Sequence, residues 1–308
     1  MHHYSHLANR SRLGTSVKFQ PMWQEIIPSE AAKHPFVMHG VLALSALHLA
    51  CTQRQQAAKY AYLCDKHQAF ALASYRQNLT HITDDVATAL FALAMILSIS
   101  SMARATLKAS SMAGPQFIDV DSICELFYLN RGVREIKETA GDLITKSPFS
   151  VALYDNQISA DATSTMSPET LQMFQGLQRM VHETCTYQNQ DQRRHCSEAI
   201  EHLQNVFGTM LSKRLTGELE MGHIWCWTAM LSSEFIGMVQ ASFSPSLVIV
   251  AHFAVATIML RETWYVSTWG SLAFKGIRVA LRGELSGHLQ WAEEQVASDL
   301  AGLKFEGG

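Results

Sequence analysis

The chain has 308 residues, of which 48% are hydrophobic and 17% are charged, and its formal net charge at pH 7 is −3. This length suits one large domain or two ordinary ones, and the low charged fraction predicts a large buried core with little surface charge. A chain without a strong basic cluster lacks the electrostatic footprint of nucleic-acid-binding proteins, so we expect no direct nucleic-acid contact.

Cysteine usage indicates a reducing compartment. The six cysteines show no CxxC motif and no paired spacing, and several lie in apolar runs, where free cysteine behaves as a small hydrophobic residue. We therefore expect an intracellular protein, cytoplasmic or nuclear, without disulfides. The N-terminal segment has no apolar run of the kind that signal peptides contain.

The chain is predicted to be all-α, a single domain over residues 1–308 with about ten helices. Segments rich in alanine, leucine and methionine alternate with short clusters of Pro, Gly, Ser and Asp, and strand signals are nearly absent. The predicted helices are Ala31–Thr52, Gln55–Gln77, Asp84–Leu107, Val120–Phe127, Arg131–Ile144, Pro168–Thr186, Gln190–Leu211, Gly222–Gln240, Pro245–Glu262, Ser267–Arg282 and Ser286–Leu300. The polar segment 155–167 is predicted to be a linker or loop.

Three apolar stretches need an explanation. Residues 34–50, HPFVMHGVLALSALHLA, contain no charged residue apart from histidines, and Val86–Ala103 and Phe235–Leu260 contain no Asp, Glu, Lys or Arg. A helix that is apolar on every side is typical of a buried core helix, and the wall of a cavity for an apolar ligand is a second interpretation. Because Pro245 breaks the last stretch and the others suit core helices, we expect no membrane span.

Several helix starts carry capping signals. Ser167 precedes Pro168, which predicts a capping serine before a proline in the first turn, and Ser244 before Pro245 repeats the pattern. Asp84 is placed to accept the unpaired amides at the start of the next helix.

The usual catalytic and nucleotide-binding signatures are missing: the sequence contains no GxGxxG, GxxxxGK[ST], GxSxG or HExxH. Asp84-Asp85 does not continue into DDxxD, and Asp119-Val-Asp121 does not complete DxDD, so we interpret these carboxylates as helix-start groups. His2, His3 and His6 are expected in a frayed, exposed terminus. His34, His39 and His48 lack the i, i+4 spacing of zinc ligands on one helix face and are predicted to be buried and hydrogen-bonded. We expect neither a metal nor a cofactor.

Soft, apolar side chains concentrate late in the chain and favour a cavity for a hydrophobic small molecule, although an ordinary core would have the same composition. His252 lies in the apolar run VIVAHFAV, where a buried polar group needs a partner. The predicted ligand-binding residues are Trp225, Trp227, Met230, Phe235, Met238, Phe243, His252, Phe253, Met259, Trp264 and Trp269.

The chain resembles the regulatory domain of fungal zinc-cluster transcription factors of the sterol uptake control type. The resemblance begins with MHHYSH and HPFVMHGVLALSALHLA and continues through FYLNRGVREI, CSEAIEHLQNVF and SPSLVIVAHFAVATIMLRETWYVSTWG. It implies an all-α domain whose C-terminal helices enclose a pocket for ergosterol or a similar lipid. The family contacts DNA through a six-cysteine dizinc module, and its C-x2-C-x6-C motif is absent from this sequence.

Two hypotheses follow from this departure. The chain is either the sensing domain of a regulator, or a standalone enzyme of fungal specialised metabolism with Met1 as its natural start. Such an enzyme would catalyse a cofactor-free cyclisation, of the Diels–Alder or another pericyclic type, on a terpenoid or polyketide, since orientation alone contributes roughly 7–11 kcal/mol to such reactions. His252 and Tyr265 are then the candidate catalytic residues. An interaction scaffold that dimerises through helical faces is a third alternative.

Overall fold

The computed structural model describes residues 1–9, 13, 17–79, 82–111, 114–147, 149–150, 162–185 and 189–300. All regular structure in these ranges is helical, which confirms the all-α class. The α-helices are α1 (His2–Asn9), α2 (Ile27–Lys33), α3 (Pro35–Thr52), α4 (Ala57–Leu79), α5 (Asp84–Ala109), α6 (Val120–Thr145), α7 (Pro168–Thr184), α8 (Gln190–Leu215), α9 (Met221–Met230), α10 (Ser233–Gln240), α11 (Ser244–Thr257), α12 (Trp269–Leu281) and α13 (Gln290–Leu300). Most of the predicted linker, residues 155–161, lies outside the described residues.

The chain divides into two compact units. Unit 1 comprises Met1–Leu107, Leu129–Gln157 and Thr263–Tyr265, and unit 2 comprises Lys108–Tyr128, Ile158–Glu262 and Val266–Gly308. Helices α5 and α6 contribute residues to both units.

Unit 1 is organised around the apolar helix α3, which packs against α1, α2 and α4. A Cβ atom on Gly40 would lie 2.5 Å from Leu93 Cδ1, so the glycine allows α3 and α5 to approach closely. Pro35–Thr52 and Val86–Ala109 are long and apolar enough to cross a membrane, and 56% and 89% of their apolar windows are buried inside the protein.

Unit 2 is organised around α11. Every residue from Pro245 to Thr257 is buried, and the helix packs against α7, α8, α10, α12 and α13. A helix surrounded in this way needs no polar face, which is why its sequence is apolar on all sides. The segment before α6 is fastened to α12, because Ile118 N donates to Leu272 O at 3.0 Å.

Helix ends follow local chemistry. Ser167 Oγ accepts a hydrogen bond from Thr170 N at 3.2 Å, which confirms the predicted cap of α7. Asp119 Oδ1 accepts from Ser122 N at 2.8 Å and so serves as the helix-start carboxylate of α6. The capping prediction for Ser244 is wrong: α11 begins at this residue, and its hydroxyl donates to the Glu284 carboxylate.

Several predicted helix boundaries are also wrong. The helix expected over Ala31–Thr52 breaks at His34, whose extended backbone (φ −118°, ψ 106°) suits a residue before proline. The helix expected over Gly222–Gln240 breaks at Ser232, whose hydroxyl accepts from Phe235 N at 3.1 Å and starts α10. Conversely, the two helices expected before and after residue 128 run together without a break between them, and the kink of α6 lies later, at Ala140 (φ −123°, ψ 23°).

Candidate functional site

Five aromatic rings of unit 2 form one packed cluster. The Trp227 indole stacks on Phe253 with ring centroids 4.4 Å apart, and it meets the edges of Phe127 at 5.7 Å and Phe235 at 6.2 Å. Phe253 also meets Trp269 at 6.2 Å. These separations are typical of rings in contact, so the structure brings four predicted ligand-binding residues together, with Phe127 as an additional member.

The indole of Trp227 is both packed against other rings and hydrogen-bonded through its Nε1–H. The residue is fully buried, and its Nε1–H donates to the carbonyl oxygen of Ala199 in α8 at 2.9 Å. A buried indole N–H needs such a partner, so this tryptophan joins α9 to α8 as part of the core.

A second group of aromatic rings includes His252. Its imidazole lies parallel to the indole of Trp291, with centroids 5.8 Å apart and an interplanar angle of 11°. Trp291 in turn contacts Phe207 at 6.0 Å, and Phe207 contacts Phe174 at 5.8 Å. The histidine of α11 therefore contacts Trp291 of α13, which begins a chain of ring contacts that continues through α8 to α7.

The two nitrogens of the His252 ring differ. Nδ1 lies 2.8 Å from the carbonyl oxygen of Val248, whereas Nε2 is buried and has no hydrogen-bond partner among the described residues. Burial lowers the pKa of His252 to about 4, so the ring is neutral at pH 7. A neutral imidazole with one unused nitrogen can form one further hydrogen bond.

Two indole nitrogens share this property. Nε1 of Trp225 and Nε1 of Trp269 are buried without a hydrogen-bond partner in the part of the chain that the structure describes. Among its described residues, unit 2 thus holds two orphaned indole donors, one orphaned imidazole nitrogen and one orphaned amide oxygen, on Gln192. Orphaned buried polar atoms are rare in folded proteins and indicate an absent polar partner.

The remaining predicted residues are distributed less tightly. Five predicted residues of unit 2 are half-buried: Trp225, Met230, Met238, Phe243 and Met259. Trp264 and Tyr265 belong to unit 1. Trp264 contacts His48 with centroids 4.8 Å apart, and the Tyr265 hydroxyl donates to the carbonyl oxygen of Leu13 at 3.2 Å. The binding role of each predicted residue stays a prediction.

The histidines of unit 1 agree with the sequence analysis only in part: His2 and His6 are exposed, as predicted. The N-terminal segment is helical rather than frayed, and His3 Nε2 shares a hydrogen bond with His48 Nδ1 at 3.0 Å. His39 and His67 share another, at 2.9 Å between their Nδ1 atoms. His34, His39 and His48 are half-buried rather than fully buried.

A Ser–His–Glu group in unit 2 was not predicted, because its members carry no sequence motif. Ser232 Oγ lies 3.0 Å from His195 Nδ1, and Glu198 Oε2 lies 3.6 Å from the same nitrogen. A catalytic triad needs the hydroxyl and the carboxylate on opposite ring nitrogens. Since the Ser232 hydroxyl also caps α10, this group fastens α8 to α10 and does not form a triad.

We also looked for metal ligands and for concavities among the described residues. Over the described ranges, no three His, Cys, Asp or Glu side chains are placed to hold a metal ion. A concavity of about 400 Å³ lies in unit 1, and the polar segment from Thr52 to Gln56 lines it. Its lining contains none of the predicted ligand-binding residues.

Comparison with known proteins gives a partial match. The chain is similar to sterol uptake control proteins. It is 33% identical to sterol uptake control protein 2 of Candida albicans over 111 residues, which is 36% of this chain and 15% of the relative. It is 28% identical to the Saccharomyces cerevisiae protein of the same name over 148 residues, which is 48% of this chain and 16% of that relative. No protein-family model matches the chain.

Proposed function

We propose that unit 2 binds a hydrophobic small molecule, a sterol or another isoprenoid- or polyketide-like compound, as the sensing part of a sterol-type transcriptional regulator. The observation that carries this proposal is the set of three orphaned nitrogens, on Trp225, His252 and Trp269, in a unit whose aromatic rings pack together. Binding sites for small molecules combine mostly apolar walls with a few fixed polar groups, and this unit supplies both.

The partial similarity to sterol uptake control proteins supports a sterol or a related lipid as the ligand class. The side chains in contact with Trp227 and His252 are uncharged rings, which agrees with such a ligand, because burying a charged group opposite a lipid is costly. The aromatic rings provide large apolar contact areas for a flat polycyclic molecule.

Native mass spectrometry of the protein purified from a fungal host, followed by solvent extraction, tests the proposal. We expect one lipid-like molecule per chain, and we expect Trp225→Phe and Trp269→Phe to weaken its retention because each removes the N–H donor together with part of the indole ring. Trp23→Phe, in the core of unit 1, is the matched control and should leave retention unchanged. An empty wild-type protein that also fails to take up ergosterol would contradict the proposal.

A cofactor-free cyclase is the second candidate function. The orphaned indole donors favour it, because an N–H aimed at a carbonyl of a bound substrate would stabilise the charge that develops during an activated cycloaddition. His252 is the remaining candidate catalytic residue, since the Tyr265 hydroxyl is already bonded to Leu13 O. A rate and an enantiomeric excess above those in buffer with a linear terpenoid or polyketide precursor would support this function, and their absence would exclude it for that precursor.

For the whole protein, we propose an intracellular location without a membrane span and without direct nucleic-acid contact by this chain. The burial of 89% of the apolar window Val86–Ala109 supports a core helix there. We also propose a homodimer, supported by Tyr62 and Phe70 on α4, which are 66% and 53% exposed. Light scattering of wild type and of Tyr62→Lys/Phe70→Lys measures the oligomeric state, and a wild-type monomer would contradict the dimer.

A further inference from the structure

We infer that the ligand carries a hydroxyl group that donates a hydrogen bond to Nε2 of His252, so that unit 2 selects uncharged, largely apolar alcohols. This inference rests on the proposed binding function and names the polar group of the ligand. It follows from the tautomer of one buried side chain and from the rings around it.

The backbone fixes the tautomer of His252. Its Nδ1 lies 2.8 Å from the carbonyl oxygen of Val248, one turn earlier in α11. A carbonyl oxygen can only accept a hydrogen bond, so Nδ1 must carry the hydrogen. In the neutral ring Nε2 is then a bare lone pair, and any partner of Nε2 must be a donor.

The ring that lies against His252 does not supply that donor. The Trp291 indole is parallel to the imidazole within 11°. Its N–H lies in the plane of its own ring and therefore cannot point along the Nε2 lone pair of a stacked imidazole. Among the described residues Nε2 is therefore left buried without a hydrogen-bond partner, on a residue that is 1% exposed.

Anionic ligands suit this position poorly. Carboxylate and phosphate oxygens are acceptors and would face the Nε2 lone pair with like polarity. Protonation of His252 would remove this conflict, but burial lowers the pKa of the ring to about 4, and His288 nearby adds to the lowering. Ketones and ethers fail as well, because they have no hydrogen to donate.

Matched probes separate these classes. Two pairs of probes differ in a single donor hydrogen: ergosterol and its 3-O-methyl ether, and farnesol and its methyl ether. Farnesoic acid is the anionic probe. Affinities are measured by titration of the full chain at pH 7. We expect wild type to bind at least one alcohol about tenfold more tightly than its ether, since one good hydrogen bond contributes about that factor.

Variants assign the difference to His252. His252→Phe keeps a ring of similar size against Trp291 and leaves the backbone hydrogen bond of α11 intact, so it should fold and should bind alcohol and ether equally. His252→Gln retains an acceptor and should keep part of the preference. His182→Phe, at an exposed position of α7, is the control and should behave as wild type.

Each outcome decides the matter. Loss of the tenfold preference in His252→Phe alone supports the inference. Equal affinity of wild type for alcohol and ether overturns it and indicates that an internal water satisfies Nε2, whereas the proposed binding function would stand. A preference that persists in His252→Phe also overturns it, because another residue then recognises the hydroxyl. Failure of every probe to bind wild type overturns the proposed function itself.

Discussion

The imidazole of His252 lies parallel to the indole of Trp291, which joins the central helix α11 of unit 2 to α13. Because the imidazole is enclosed on this side by an aromatic ring and is 1% exposed, the charged form is strongly disfavoured. Protonation of His252 is therefore disfavoured by burial at the place where α11 packs against α13.

Because of His252, the free energy of unfolding of the protein should decrease as the pH is lowered. The folded-state pKa of His252 is about 4, below the ordinary value of 6.5, so between these values the unfolded chain binds a proton that the folded chain does not. The contribution is fully present above pH 6.5 and is lost as pH falls towards 4, by about 3 kcal/mol in the free energy of unfolding. Urea unfolding of wild type and His252→Phe at several pH values measures it.

In that comparison the difference in unfolding free energy between the two proteins should change between pH 6.5 and 4 and stay constant above pH 7. The same comparison with His182→Phe is the control. A difference that does not vary with pH would show that His252 is accessible to water in the folded state.

We expect Trp227 to contribute strongly to the stability of the fold. Its indole stacks on Phe253 at 4.4 Å and its N–H donates to Ala199 O at 2.9 Å. Trp227→Ala should lower the free energy of unfolding by about 3–5 kcal/mol, and Trp227→Phe by about 1–2 kcal/mol because only part of the ring and the hydrogen bond are lost. Chemical denaturation measures both, and the half-buried Trp225→Phe is the comparison. Equal effects at the two positions would contradict this assignment.

Gly276 should tolerate no side chain. A Cβ atom there would lie 1.8 Å from the carbonyl oxygen of Ile118, in the segment that is fastened to α12. Gly276→Ala should therefore cost about 1–3 kcal/mol of stability. Gly237 in α10 has no atom within 4 Å of such a Cβ, and Gly237→Ala should stabilise by about 0.5–1 kcal/mol. Thermal unfolding of both variants tests the pair, and a neutral Gly276→Ala would mean that the two segments separate easily.

Asp299 should hold α13 in place. Its carboxylate pairs with Arg261 and also accepts a hydrogen bond from Ser271 Oγ at 3.5 Å, and its side chain is 11% exposed. Asp299→Asn should increase amide hydrogen exchange over residues 290–299 and cost about 1–2 kcal/mol. Glu293 pairs with Arg278 at 3.2 Å in a far more exposed position, so Glu293→Gln should change stability by less than about 0.5 kcal/mol. Similar exchange in both variants would argue against this role for Asp299.

The sequence was informative where the chemistry is local. The cap at Ser167, the carboxylate at Asp119 and the all-α class follow from short-range patterns, and the structure confirms them. The break at Ser232 was missed because apolar residues continue on both sides of the short polar segment 232–234, where the Ser232 hydroxyl accepts from Phe235 N and starts a new helix. The helix of residues 2–9 was missed because its support, the His3–His48 contact, joins residues far apart in the chain.

The sequence alone determined that this chain is helical, rich in apolar residues and rich in aromatic residues towards its C-terminal end, because composition and periodicity can be read without knowing which distant residues are in contact. Only the tertiary structure decided which of those residues share a unit. It assigned Trp264 and Tyr265 to unit 1 and surrounded α11 with helices on all sides. It also decided which polar atoms lack partners: Trp227 received the Ala199 carbonyl, whereas Trp225, Trp269 and His252 Nε2 received none within the described chain. Hydrogen bonding of a buried side chain depends on groups brought from distant segments, and no local pattern specifies them.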